Sequence, residues 1–316
     1  MDIDAVVTWV HGADPAHMVA RARYQPVAEP GSELDLATKM RRFRDNGELR
    51  HCLRSLRNHA PWLRTIWLLT DDQVPDFLDG DIAARHGVRL VSHRHVFRGH
   101  EDLLPTFNSL SIETMLWRIE GLAERFLYLN DDMMLTGPVE PGDFFAEDGR
   151  TVLRGRWTDA SAKIEPAFHE ENKLRGVDRA GGDRARYFSP GHAVYPMRVS
   201  PLAESYAADP AGFVENARPR FRDRGQWWPV SFCHHRLLAR DAVVTRDGKD
   251  VVHFPVGWTA KAEPKDVARR LWTLRKPHVK MTCLNFMEEV LRKAPDAYGR
   301  LAVATGPAAP WEKDAG

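Results

Sequence analysis

Arg125-Phe126-Leu127-Tyr128-Leu129-Asn130-Asp131-Asp132 is the stretch on which the fold reading turns. Residues 125–129 are an apolar and aromatic run of strand length that passes straight into an amide and two carboxylates. An open α/β sheet gathers its ligands at the carboxyl ends of its strands, so such a run places polar chemistry at a crevice. Working outward, Asp4–Val10 reads as a second buried strand, β-branched and aromatic, stopped by His11-Gly12. Thr65–Thr70 and Val88–Val91 read as two more. Between them lie segments of helical spacing: 45–59, with Leu49, Leu53 and Leu56 on one face; 76–86; and 108–119, with Ile112, Met115, Leu116 and Ile119 together. Asp45 and Glu48 stand at capping-box distance, and Pro61 ends the first helix. Strands alternating with helices predict an α/β fold, a mostly parallel sheet flanked by helices.

Beyond a soft boundary near residue 150 the pattern is less regular. Residues 176–191, rich in Gly, Arg and Asp, read as a loop, and about 199–207 and 285–293 read as helices. Asp247-Gly248 carries a hairpin-turn signal, and the chain after about 303 reads as a loose tail.

The 316 residues are enough to bury a large core, and the formal net charge of +1, from 45 basic and 44 acidic side chains, argues against a nucleic-acid binder that relies on bulk electrostatics. Cys52, Cys233 and Cys283 are too few and too scattered for a disulfide framework and are expected reduced and buried. No apolar run approaches the roughly 18–20 residues of a membrane span. Met1-Asp2-Ile3-Asp4 is acidic where a secretory signal would be basic. The expected compartment is therefore the cytoplasm, with peripheral membrane association left open. Neither a G-x-x-x-x-G-K-[ST] loop, nor a G-x-G-x-x-G after a strand, nor a G-x-S-x-G elbow occurs.

Asn130-Asp131-Asp132 suits a divalent cation or the ribose and phosphates of a nucleotide, and equally a solvated turn. Arg41-Arg42-Phe43-Arg44-Asp45-Asn46-Gly47-Glu48 places arginine forks at a helix start, where phosphate binds well; a capped surface helix with a basic preamble reads the same way. Of the 14 histidines, His192 follows Ser189-Pro190-Gly191, a turn that can hold an imidazole rigidly for proton abstraction. Adjacent His234 and His235 cannot share a helix face and make a poor zinc pair. Arg220-Phe221-Arg222 could clamp a diphosphate, although surface arginines are common. Asn285, ahead of Glu288, reads as a helix N-cap.

In order along the chain these pieces resemble the Stealth family, which contains bacterial capsule hexose-1-phosphate transferases and the animal lysosomal-enzyme GlcNAc-1-phosphotransferase. The resemblance runs over nearly the whole sequence in four blocks. The first is Ile3-Asp4-Ala5-Val6-Val7-Thr8-Trp9-Val10. The second opens at Arg42-Phe43-Arg44-Asp45-Asn46-Gly47-Glu48, passes Thr70-Asp71-Asp72-Gln73-Val74-Pro75, Leu104-Pro105-Thr106-Phe107-Asn108-Ser109 and Ile112-Glu113, and closes at Asn130-Asp131-Asp132. The third holds His192-Ala193-Val194-Tyr195-Pro196 and Arg220-Phe221-Arg222, and the fourth is Thr282-Cys283-Leu284-Asn285.

The resemblance implies a Rossmann-like, glycosyltransferase-A-related core over 1–150 that binds a nucleotide-sugar. An acceptor and catalytic part over 151–316 would pack on it, in one continuous domain or two. It further implies a UDP-sugar donor, a saccharide acceptor and Mg²⁺ or Mn²⁺. Asp131 and Asp132 would hold the donor or its metal. His192, Asp132 and Arg222 would be catalytic, His192 as general base and Arg222 stabilising the diphosphate. Trp9, Arg44, Asp45, Asn46, Asn108, Ser109, Asn130, Arg220 and Asn285 would contact substrates. Three positions depart from the family pattern: His11 replaces Asp or Asn, Phe286 replaces the Asp of C-L-N-D, and Gln226 stands roughly where the third block offers Asp. Fewer carboxylates weaken the case for the metal. The competing expectations are a glycosyltransferase that moves the sugar alone and a silent nucleotide-sugar or glycan-binding relative.

Overall fold

The computed structural model describes residues 2–159 and 166–312; the Met1 of the acidic start and the Arg41 side chain lie outside the described residues. In chain order the strands are β1 (Ile3–Thr8), β2 (Ile66–Thr70), β3 (Val88–Ser92), β4 (Arg125–Asn130), β5 (Met133–Leu135), β6 (Thr151–Asp159), β7 (Arg186–Pro190), β8 (Tyr195–Arg198), β9 (Val243–Arg246), β10 (Val251–Phe254) and β11 (Met281–Leu284). The main sheet has the order β3-β2-β1-β4-β8, with the first four strands parallel and β8 antiparallel at the edge. Chain order runs outward from β1 to β3 and then returns to place β4 on the other side of β1. That reversal opens a crevice at the carboxyl ends of β1 and β4. Thr8 pairs with Asn130, so Trp9 and Asp131 leave the sheet side by side.

β1 is buried along its whole length, as a central parallel strand must be. Its one charged residue, Asp4, is fully buried. The carboxylate accepts from Arg64 Nε and Nη2 at 2.9 and 2.7 Å, from Trp67 Nε1 at 2.9 Å, and from the backbone N–H groups of Thr65 and Ala123. Asp4 thereby ties β1 to the entries of β2 and β4, at the end of the sheet away from the crevice.

The parallel α/β architecture is as the sequence predicts, but several element boundaries are not. The helix expected over 45–59 begins at Glu48, because Gly47 at its N-cap has φ +89°, which favours glycine. Asp45 and Glu48 form no capping box: Asp45 accepts from Gly47 N at 2.6 Å, and Glu48 accepts from Asn46 N and Nδ2 at 2.7 and 2.9 Å. The segment 76–86 is helical only over Gly80–Arg85, capped by Asp79, and 108–119 is a helix over Ser109–Met115 followed by a 3₁₀ turn.

The second half is regular, not irregular. Of the expected loop at 176–191, 180–185 is a loop; its start is the end of a helix, Phe168–Arg179, and Arg186–Pro190 is β7. Gly176 belongs to the helix because a Cβ there would meet the Trp228 carbonyl oxygen at 2.8 Å and Ser231 Cβ at 2.9 Å, where helix Pro229–Leu238 crosses closely. The Asp247-Gly248 turn exists, with Gly248 at φ +69°, but it makes no hairpin: β9 pairs with β6, and β10 pairs with β11. Nor are residues 303–312 loose, while 313–316 of the expected tail lie outside the described residues. Helix Ala297–Thr305 packs on helix Glu48–His59, Trp311 is fully buried, and Glu312 accepts from Arg54 Nε at 2.8 Å.

One cluster of buried apolar side chains takes residues from both halves, and β8 and β11 join strands of the first half. All three cysteines are free and buried. Among the described residues no helix is long and apolar enough to cross a membrane.

Candidate active site

A cleft of about 1070 Å³ opens over the carboxyl ends of β1 and β4. Arg44, Asn108, Ser109, Asn130, Asp131, Asp132, His192, Arg222 and Asn285 all line it, together with Trp9 and Asn46, although they come from distant parts of the chain.

β4 delivers the acidic end. Asn130 Oδ1 accepts from the Tyr128 hydroxyl at 2.9 Å and from Thr8 Oγ1 at 3.3 Å, which locks the turn. Asp132 Oδ2 accepts from Asn285 Nδ2 at 2.8 Å, while its Oδ1 is buried with no hydrogen-bond partner. Burial, and then the neighbouring charges of Asp132, Glu48 and Asp45, hold the Asp131 carboxyl well above the usual carboxylate range. Burial also raises Asp132, against the hydrogen bonds from Asn285 and Cys283. Two adjacent carboxylates with an orphaned oxygen, opposed in ionising by their surroundings, fit a hard divalent cation.

Asn285 is not the cap of the following helix, which starts at Met287 behind Phe286. It bridges instead. Its amide group donates to Asp132, so its carbonyl oxygen faces His253 Nε2 at 2.5 Å, and that nitrogen must carry the proton. The His253 ring stacks on His192, with centroids 4.3 Å apart and planes 23° apart. His192 opens onto the cleft, yet its pKa is pushed down, first by desolvation and then by His253, Lys173, His169 and Arg222. The imidazole is therefore neutral at neutral pH and free to accept a proton. His192, His253 and Cys283 also offer three ligand atoms within 4.8 Å of one another. A metal bonds imidazole in the ring plane at about 2.0–2.1 Å, and two nearly stacked rings share no such point. His253 Nε2 is already committed to Asn285. We read this group as a hydrogen-bonded support for His192.

Arg222 also lines the cleft, and its Nη2 donates to Ser109 Oγ at 2.5 Å. Beside it Glu113 is buried and accepts from Trp228 Nε1 at 2.8 Å. Burial pushes the Glu113 carboxyl up to about 7, with Arg222 the chief opposing influence. The sequence reading quoted Glu113 in a motif but gave it no role. Its signal was a carboxylate one residue from Ile112 on the buried side of a helix, where an acid needs a partner. His253 carried no comparable signal.

Not every expected contact residue faces the cleft. Arg220 turns away: its Nη1 donates to the carbonyls of Leu103 and Pro105 at 2.8 and 3.0 Å, and its guanidinium lies 4.5 Å over the Tyr24 ring. Its Nη2 also donates to the Asp102 carbonyl at 3.3 Å, so three nearby carbonyls satisfy the fork and it braces a turn. Asp45 accepts from Trp9 Nε1 at 2.8 Å, positioning the indole rather than lining the cleft wall. Asn108, almost fully buried, caps its helix and donates to Pro219 O and Gln226 Oε1. Arg44 is ion-paired to Glu288. Of the three departures, Gln226 lies outside the cleft wall, donating to Ser111 Oγ at 3.2 Å and Asn216 O at 2.6 Å. An Asp there would lose those donors, so the residue is structural. His11 is exposed, and its backbone N–H donates to Gln73 Oε1 at 2.8 Å. Phe286 does line the cleft, so that carboxylate is absent from a site position.

Residues 42–153 match the family model described as Stealth protein CR2, conserved region 2. An exopolysaccharide phosphotransferase of Streptomyces coelicolor is 44% identical over 306 residues, 90% of this chain and 46% of the relative. Another from the same organism is 37% identical over 240 residues, 72% of this chain and 42% of the relative. A capsular polysaccharide phosphotransferase, WcwK of Streptococcus pneumoniae, is 39% identical over 147 residues, 46% of this chain and 42% of the relative. The chain thus spans less than half the length of these relatives. Among solved structures, the galactosyltransferase LgtC in complex with donor and acceptor sugar analogues aligns over 98% of this chain and 99% of its own, with a TM-score of 0.47 and 12% identity. The conserved region reaches from the loop before Glu48 through Glu113 to the Asp131–Asp132 turn, and the relatives extend the likeness across most of the sequence: the chain belongs to the Stealth family.

Proposed function

We propose that the protein is a phosphotransferase that moves a hexose-1-phosphate, such as GlcNAc-1-phosphate, from a UDP-sugar to a saccharide hydroxyl in cell-surface polysaccharide synthesis. The observation that carries this reading is the meeting of Asp131, Asp132, His192, Arg222 and Glu113 in one cleft. The names of the relatives support the reaction class.

Phosphoryl-type transfer asks a protein mainly to position groups and to spread charge. The acceptor hydroxyl attacks the phosphorus nearest the sugar, and a new O–P bond forms. Neutral His192 takes the hydroxyl proton. The bond from that phosphorus to the bridging oxygen breaks, and the bridging oxygen leaves with the electron pair as part of UMP. Arg222, held by Ser109 and influenced electrostatically by Glu113, would face the diphosphate with a fork of donors. A Mg²⁺ or Mn²⁺ ion held by Asp131 and Asp132 would neutralise diphosphate charge when bound. Asn285 orients Asp132 on one side and His253, hence His192, on the other.

The test is product analysis. Incubation with UDP-GlcNAc and other UDP-sugars, Mg²⁺ or Mn²⁺ and oligosaccharide acceptors is expected to release UMP. Release of UDP would mean transfer of the sugar alone, and donor binding without turnover would mean a silent relative. Either outcome overturns the proposal.

A further inference from the structure

Away from His192, the same cleft has a second polar wall to which nothing above assigns a role. His17, on helix Pro15–Tyr24, and His93, just past β3, both line the cleft and are buried. Between them lies Asp71, just past β2, with Oδ2 3.3 Å from His17 Nδ1 and Oδ1 3.6 Å from His93 Nδ1. Burial would raise the Asp71 carboxyl, but the two histidines outweigh it and hold it below its ordinary value, so it is ionised. His17 Nδ1 is in hydrogen-bond reach of the carboxylate, so its Nε2 is turned away from Asp71; His93 Nδ1 lies at ion-pair distance without a hydrogen bond.

Neither Nε2 atom has a partner, and Thr106 Oγ1, buried on the same cleft wall, has none either. His93 Nδ1 lacks a hydrogen bond as well; buried polar groups in native proteins are nearly always paired, so four such atoms together call for a ligand. A plain structural clamp between β2, β3 and helix Pro15–Tyr24 accounts for the Nδ1 contacts but not for the orphans. The surroundings suit a flat ring: His17 packs edge-on to Phe107 at 5.3 Å, and Phe43 and Phe107 both line the cleft.

Position and chemistry agree on which part of a donor belongs here. In the order β3-β2-β1-β4, His93 follows β3 and Asp131 follows β4. Three interstrand steps separate them, about 14 Å. A diphosphate at Asp131 and Asp132, with its sugar end toward His192, must send its nucleoside back across β1 toward β2 and β3. Ribose hydroxyls and the polar edge of a nucleobase can pair with unpartnered ring nitrogens, and a flat base suits the aromatic lining of Phe43 and Phe107.

We propose that His17 and His93, oriented by Asp71 and joined by Thr106, form the subsite for the nucleoside of the donor. Nε2 of each ring hydrogen-bonds a ribose hydroxyl or the polar edge of the base. This rests on the nucleotide-sugar reading given above. Asp71 acts through the two histidines and is a positioning residue.

Calorimetry on the full chain with Mg²⁺ separates the subsites, with UDP, ADP and GDP as nucleotide probes and inorganic pyrophosphate as the diphosphate alone. Wild-type protein is expected to bind at least one nucleotide more tightly than pyrophosphate. His93→Gln, Thr106→Val and Asp71→Asn should each weaken that nucleotide about tenfold while pyrophosphate stays within about twofold. Thr106→Val keeps the side-chain shape, so it serves if the histidine variant fails to fold. Nucleotide and pyrophosphate weakened together, or nucleotide affinity unchanged in folded variants, overturns this subsite and leaves the transferase reading standing. A wild-type protein that binds no nucleotide overturns both.

Discussion

Desolvation acts in opposite directions on the two titratable groups nearest the proposed chemistry. It lowers the pKa of His192, although the ring is exposed at the cleft, and it raises that of Glu113 to about 7. His192→Ala is expected to lower turnover about 10²–10⁴-fold and to leave donor affinity within a few-fold, because the imidazole takes a proton and does not hold the diphosphate. Single-turnover kinetics beside donor titrations check this, and near-normal turnover removes His192 from the base role. For Glu113 the prediction concerns stability. Its folded pKa of about 7 lies above the ordinary 4.5. Between those values the folded protein holds a proton that the unfolded chain has released, so stability falls as pH rises through that window. Glu113→Gln should flatten this slope. Urea denaturation at a series of pH values measures it, and an unchanged slope contradicts a raised carboxyl.

Among the elements, helix Glu48–His59 carries one flank of the site, and its far side is covered by residues 297–312. Arg54 meets Glu312, Asn58 donates to the carbonyls of Thr305 and Pro307, and Trp311 fills the space beside them. Trp311→Ala is expected to cost about 3–5 kcal/mol. Chemical denaturation checks it, and a loss under about 1 kcal/mol would mean that the indole is not part of the core. This segment shows where the sequence falls silent. A single tryptophan among Ala, Gly and Pro has no periodicity, so nothing local marks it as buried. Helix Phe168–Arg179 was hidden differently: Gly176 signals a loop unless the closeness of Trp228 and Ser231 is known. β1 to β4 were legible because each is an apolar run bounded by breakers. The small sheets were not, since β5 pairs with β11, a partner far along the chain.

At the scale of the whole molecule, most of the candidate site was legible as an ordered set of motifs, and its internal wiring was not. Sequence order could suggest that Asp132 and Asn285 share a cleft, but not that the amide joins Asp132 to His253. It expected both Arg220 and Arg222 to contact substrate, Arg222 as the catalytic one, and the packed structure turns Arg220 toward carbonyls and leaves Arg222 at the cleft. Gln226 looked like a lost ligand and is a buried hydrogen-bond hub, which leaves Phe286 as the one departure that removes a carboxylate from the cleft. The central claim is that segments near 44, 131, 192 and 222 meet on a single diphosphate. A crystal structure with a UDP-sugar and Mn²⁺, using anomalous scattering to locate the ion, tests this most directly. The account predicts manganese against Asp131 and Asp132, with the diphosphate reaching Arg222 and the sugar-side phosphorus facing His192. Manganese elsewhere, or a donor seated away from His192 and Arg222, would contradict it.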